Sequence, residues 1–540
     1  MQKLLAVLLL ISLLSSCKHK KSGDTIFFNG IIYTLNKDSL VADAMVVTDG
    51  KIVATGKQED LQKIYDVKAS IDLQGKPVYP GFIDAHCHFY GYGSTLTEAQ
   101  LTGTKSWQEV VETVQQYATG RSGWIIGRGW DQNDWQQKSF PSKEKLDELF
   151  PDQPVFLQRI DGHACIVNQQ VLDLAHIDAS TIIPGGQVIL SEGQPTGVLL
   201  DNAMDSVSKL IPVPSNEAIE AALLQAQVNC FKVGLTTVAD AGLTRNVVEI
   251  IDTLQQRGKL MMRVYAMLTD NDENKNYYFK HGPYKTDRLN VRAFKFYADG
   301  ALGSRGALLL KPYTDDSHSF GIQLNPVAYF EEQAKLCLQH GFQMCTHAIG
   351  DSANRMMLHV YGKVLGGAND KRWRIEHCQV VAPDDFELFQ RYTIIPSVQP
   401  THATSDMYWA TDRLGVFRIR GAYAYHDLMM ENGWIAAGSD FPIEDINPLF
   451  GFYAAVVRKD QKGFPEDGFQ VKNALTRSEA LYAMTIWAAA ANFEEDEKGS
   501  LEPGKFADFV VLDDDILKIP DEQLFKVIVL STWIGGEKVY

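Results

Sequence analysis

Between residues 78 and 440 the chain alternates short apolar runs with amphipathic helical stretches, and this alternation leaves few folds open. Strand-like runs fall at 78–88, 235–240, 261–267, 291–297, 343–347, 373–377, 393–399 and 434–440. Helical periodicity separates most of them, as at 216–232, 245–257, 327–340 and 351–364. Strands joined through helices run parallel, and eight such units in series predict an α/β chain closed into a TIM-like (β/α)8 barrel. The two ends read differently. Residues 25–35 and 44–56 are β-branched and aromatic, with an Asp49-Gly50 turn between two runs, and 505–512, 527–530 and 532–540 have the same character. One small β-sandwich built from both termini is therefore expected, 23–79 from one end and 495–540 from the other, around a barrel spanning 80–494. About 140 residues part the first barrel strand from the second, too many for a loop in a compact domain. The stretch at about 95–215 is thus expected to be an inserted subdomain that covers the carboxyl end of the first strand.

Composition excludes some partners. At 45% hydrophobic and 22% charged the 540 residues are globular in character, and a formal net charge of −16 makes nucleic acid a poor partner. Residues 1–22 stand apart: Lys3, the apolar run 4–14, Ser15-Ser16-Cys17, then the basic stretch 18–21. The run is short for a bilayer span and fits the core of an export signal. Leu14-Ser15-Ser16-Cys17 resembles a bacterial lipobox, which implies lipid attachment at Cys17, export, and a membrane-anchored lipoprotein on the periplasmic or cell-surface side. A plain secretory signal is the alternative. The other six cysteines are scattered without a Cys-x-x-Cys pair and read as buried thiols.

The chemistry gathers at strand ends. Pro80-Gly-Phe-Ile-Asp-Ala-His-Cys-His-Phe89 closes an apolar strand with His86 and His88, which a period of two sends to one face, a natural metal claw. In a parallel barrel all carboxyl ends meet at one rim. The remaining strand ends bring Lys295, His347, His377 and Asp440 there, so four imidazoles and a carboxylate converge.

These segments resemble the amidohydrolase superfamily, in particular its YtcJ-like branch, which includes N-substituted formamide deformylase. Besides Pro80 to Phe89, the likeness runs through Gly127-Arg-Gly-Trp-Asp131, Arg159-Ile-Asp-Gly-His163, Phe294-Lys-Phe-Tyr-Ala-Asp-Gly-Ala-Leu-Gly-Ser-Arg305, Thr346-His-Ala-Ile-Gly-Asp351, Ile375-Glu-His377, Gly438-Ser-Asp440 and Gly504-Lys-Phe-Ala-Asp-Phe-Val-Val-Leu512. The resemblance implies divalent metal, zinc before others, one or two per chain, on His86, His88, His347, His377 and Asp440. It also implies a carboxylated Lys295 bridging two ions, with an ordinary lysine beside a single ion as the alternative. Asp440 is the expected general base and then acid. Trp130, Asp131, Arg159, His163 and Arg305 are the expected substrate-binding residues, the first four as a lid. Phe89, Tyr90, Trp409 and Phe441 are weighed as an apolar pocket wall, and Glu376 and Asp299 as hydrogen-bonding supports for the ligands.

The expected activity is hydrolysis of a non-peptide carbon–nitrogen bond in a small amide, of the N-substituted formamide or N-acyl amine type, by metal-activated water. An esterase or phosphoesterase on the same barrel is one alternative, and a non-catalytic metal- or ligand-binding lipoprotein is another. A homo-oligomer stays open.

Overall fold

The computed structural model describes residues 20–38 and 40–540. Residues 1–19, on which the expected export signal and the lipid-attachment candidate Cys17 fall, lie outside the described residues. Eight parallel strands form a nearly closed TIM-like barrel: Phe82–Cys87, Leu235–Leu243, Arg263–Thr269, Leu289–Tyr297, Gln343–Ala348, Arg374–His377, Ile395–Val398 and Ala436–Ala437. Each pairs with the next in sequence, and the first pairs with the second. The strands are buried on both faces, as the interior of an α/β barrel requires, which is why they read as continuous apolar runs. Register sets which side chains share a level. Tyr297 lies beside His347, which lies beside Glu376, while Ala348 lies beside His377.

The eighth strand is regular over only two residues, and the ring closes just beyond them. Asp440 N–H donates to the His86 carbonyl at 2.8 Å, and His88 N–H donates to the Phe441 carbonyl at 2.8 Å. Gly438 permits this approach, since a Cβ there would stand 2.4 Å from His86 N and 2.6 Å from Asp84 Oδ1.

Residues from both termini build one continuous eight-stranded mixed sheet, including Lys21–Tyr33, Val41–Thr48 and Pro77–Pro80 from one end and Phe509–Leu512 and Val529–Ile534 from the other. Phe27 on its first strand meets Trp533 with ring centroids 5.0 Å apart, although two strands separate theirs in the sheet. At about 4.8 Å per strand only a sheet coiled on itself brings them together. The sheet is fastened to the barrel by Arg263, whose guanidinium grips Asp508 at 2.5 and 2.9 Å with both side chains buried. Residues 99–201 hold a third, six-stranded sheet with its own apolar cores, around Trp130 and Leu157 on one face and Leu172 and Leu199 on the other. Six cysteines are buried and unpaired among the described residues. No helix among those residues is long and apolar enough to cross a membrane.

Candidate metal centre

Four imidazoles at the rim each have one ring nitrogen committed to an acceptor. His86 Nδ1 lies 2.6 Å from Glu376 Oε2, His88 Nδ1 2.9 Å from the Ala241 carbonyl, His377 Nδ1 2.7 Å from Gln399 Oε1, and His347 Nε2 3.4 Å from the Gly300 carbonyl. An acceptor calls for the proton on the nitrogen facing it, which leaves a lone pair on the opposite nitrogen; only that of His86 has a donor near it, Lys295 Nζ at 3.1 Å. Burial, with Lys295 close by, presses the His86 pKa down to about 4. Burial and neighbouring imidazoles hold His347 and His377 well below the ordinary value, so these rings are neutral near pH 7.

Asp440 sits at the meeting point. Its Oδ1 is 3.2 Å from His88 Nε2 and 3.5 Å from His86 Nε2, and it is a buried oxygen with no hydrogen-bond partner in the protein. Burial works to raise the carboxyl's pKa, but the His88 contact and the surrounding imidazoles hold it well below the carboxylate range. Two three-donor groups share this carboxylate, His86–His88–Asp440 and His377–His402–Asp440, with the donor atoms of each within 4.8 Å of one another. Lys295 Nζ lies 3.1 Å from His86 Nε2, and burial lowers its pKa. Bare imidazole nitrogens around an unpartnered, ionised carboxylate fit a divalent cation of borderline softness.

The backbone is fixed around these donors. His377 and Asp440 adopt φ of 76° and 64°, uncommon for residues with side chains and costly unless the surroundings impose them. Three buried carboxylates brace the loops through backbone amides. Asp84 accepts from Ser439 and His86, Asp240 from Phe89 and Tyr90, and Asp299 from Leu308, Ile349 and Gly350. Burial pushes each of the three up to about 7 against the effect of those bonds.

Comparison with known proteins agrees with this geometry. A family model described as amidohydrolase family matches residues 69–540. YtcJ of Bacillus subtilis (strain 168) is 32% identical over 528 residues, covering 95% of this chain and 99% of its own. The chain belongs to the amidohydrolase family. N-substituted formamide deformylase of Arthrobacter pascens is 26% identical across 95% of this chain and 97% of its own. A crystal structure of an uncharacterized metal-dependent hydrolase from Pyrococcus horikoshii OT3 superposes with a TM-score of 0.76 at 28% identity, covering 92% of this chain and 99% of that one. This amidohydrolase is a metal-dependent hydrolase of the same superfamily.

Above the centre the amidohydrolase has a cavity of about 170 Å³. His88, Lys295, His347, His377 and Asp440 line its floor, and Asp131, Arg159 and His163 from the insert line a wall. Arg159 is buried and fully engaged, with Nη2 on Asp131, Nη1 on Asp161 at 2.5 Å and Nε on Gln132 at 2.8 Å. Burial prevails at Asp131, whose pKa is raised, whereas Arg159 prevails at Asp161, whose pKa is lowered despite burial.

Two expected substrate contacts are corrected. Trp130 is wholly buried in the insert core, its indole N–H donating to the Leu157 carbonyl at 2.9 Å, because strand alternation turns it away from Asp131 and the cavity. Arg305 pairs with Asp315 at 2.8 and 3.3 Å and faces a separate open groove of about 900 Å³. Of the aromatics weighed, Trp409 lines the cavity, while Phe89 and Phe441 are core residues. His402, Asp406 and Glu444 also line the cavity and did not emerge from the sequence. His402 follows the seventh strand directly, in Pro400-Thr-His402, so the strand-end rule that found His377 reaches it too.

Proposed function

We propose that this amidohydrolase cleaves the carbon–nitrogen bond of a small N-substituted amide, a formamide or another N-acyl amine. The observation that carries the reading is the set of bare imidazole nitrogens around Asp440 at the floor of a small cavity. The full-length likeness to an enzyme named N-substituted formamide deformylase supports the choice of bond.

His86, His88 and Asp440 of the first group and His377 and His402 of the second would hold the metal, with His347 at the cavity floor beside them, zinc by the chemistry of the donors. A divalent cation there supplies Lewis acidity and an acidified water near neutral pH. Asp440, ionised and unpartnered at Oδ1, takes a proton from the attacking water and returns it to the departing nitrogen. Lys295 is buried, and burial lowers its pKa, which favours the neutral amine; with carbon dioxide that amine would form a carbamate, releasing a proton, and the carbamate would supply oxygen ligands for the metal.

Metal content of the protein lacking residues 1–22, measured alongside amine release from N-substituted formamides and simple N-acyl amines before and after chelation, tests the reading. Close to two metals per chain with chelator-sensitive release is expected. About one metal removes the bridging role of Lys295. Full metal with hydrolysis only of esters or phosphoesters, or of nothing, overturns the amide assignment. The export reading belongs to the same proposal: Cys17→Ala is expected to shift the protein from the membrane fraction to the soluble one, and unchanged partitioning counts against a lipid anchor at Cys17.

A further inference from the structure

We propose that the Trp409 indole is the partition that sets how large an N-substituent the enzyme accepts; this rests on the amide reading above. The cavity over the metal donors holds about 170 Å³, and the open groove beside it about 900 Å³. Sites for drug-sized ligands commonly span about 300–1,000 Å³, so the cavity has room for a reacting amide and little more. The two voids run close together. Asn133 lines the groove and Asp134 the cavity, and the carbonyl of Gly303, in the cavity lining, accepts at 3.2 Å from Nη2 of Arg413, a groove residue. Among the described residues Trp409 is the one that lines both.

The indole is held where it stands. Trp409 precedes the helix Ala410–Arg418 and is only 8% exposed. Its Cη2 and Cζ2 lie against Gly303, where a Cβ would stand 3.2 and 3.3 Å from them, so the loop carries a glycine where the ring comes closest. From the groove, the Arg413 guanidinium carbon lies 5.5 Å from the ring centroid, within reach of a cation–π attraction, and that guanidinium is fixed in turn by Asp315 and by Asn133 Oδ1 at 3.0 Å. Inside the cavity an alkyl group gains nothing against Asp131, Asp134 and Asp161, whose hydration it would displace. It gains by lying along Leu302, Gly303 and the indole. A substituent that grows along this apolar line therefore runs into the Trp409 ring, and each further carbon has to displace a packed side chain before it can reach the groove.

Formamides isolate the substituent, because their acyl group is a hydrogen and only the nitrogen side grows. N-ethylformamide and N-octylformamide, assayed with metal-replete enzyme, give the reading. Wild type should favour the short amide in kcat/KM by about 10- to 200-fold. Trp409→Leu joins the cavity to the groove and should abolish that preference, raising the octyl-to-ethyl ratio by about the same factor. Trp409→Phe is a smaller truncation that keeps the test available where the leucine variant does not fold, and it should move the ratio in the same direction by less. A general structural defect would lower both amides together and leave the ratio where it was. If wild type shows no preference for the short amide, or if a metal-replete variant keeps the wild-type ratio, the role of Trp409 is overturned and the amide reading survives. If wild type hydrolyses neither amide, the amide reading itself fails and this inference with it.

Discussion

The barrel rim and the insert's wall face each other across one cavity and are made from similar residue types, histidines and aspartates beside a basic residue, Lys295 at the rim and Arg159 on the wall. At the rim, hydrogen bonds commit one nitrogen of His86, His88 and His377 and turn the other towards Asp440 and Lys295, and Asp440 keeps an oxygen without a partner. On the wall, Arg159, Asp131 and Asp161 satisfy one another. Unsatisfied donors and acceptors mark where an enzyme does chemistry, and mutually satisfied ones mark where it holds shape. The rim is therefore the reactive side and the wall the shaping side.

Removing the rim's carboxylate should have the largest effect. Asp440→Ala is expected to lower kcat by about 10³- to 10⁴-fold, whether or not metal stays bound, and a variant within a few-fold of wild type would break the division between the two sides. Arg159→Met leaves Asp131 and Asp161 in the wall without a counter-charge. It should destabilise the protein by about 3–5 kcal/mol, measured by denaturant unfolding, and an unchanged midpoint would mean that the wall does not depend on this pairing.

A smaller effect sharpens the rim. Glu376 holds His86 Nδ1 and is itself held down to about 2, because Arg374 and His86 outweigh burial. Glu376→Gln should weaken metal binding about 10- to 100-fold in a chelator competition, with the fold intact. The smallest effect concerns the bracing carboxylates. Asp240, raised to about 7 by burial, binds its proton more tightly in the folded than in the unfolded chain, where its pKa is near 3.8. Its contribution to stability is thus fullest below that unfolded value and declines as pH rises towards 7, by at most about 1.4 kcal/mol per pH unit. Asp240→Asn should flatten the melting temperature's decline across that window, and an unaltered slope would show that Asp240 does not titrate there.

The sequence carried the barrel because its strands are buried on both faces and its helices on one, two patterns with different periods. The seven longer strands all contain or overlap the runs read from that pattern; the eighth, at Ala436–Ala437, lies inside the run expected at 434–440. Donor positions were legible for a related reason, since strand ends in a parallel barrel share one level. Side-chain direction in the insert was not legible. Trp130 and Asp131 are adjacent in one motif, yet one fills a core and the other faces the cavity, and nothing local tells which phase of the strand is buried. Asp201 stands 38 residues from its partner His163, and the antiparallel pairing of Ala164–Val167 with Gln194–Asp201 brings them together. His402 sits on a helix after its strand, where the strand-end rule was not applied.

The terminal sheet has a consequence for the order in which this protein can be made. Pro77–Pro80, which leads into the first barrel strand, pairs with Phe509–Leu512, and that strand in turn pairs with Val529–Ile534. The strand at Pro77–Pro80 therefore waits for residues 509–534 before its own sheet is complete. A chain lacking residues 509–534 keeps an exposed edge on Pro77–Pro80, so this sheet is completed only when the later strands join it.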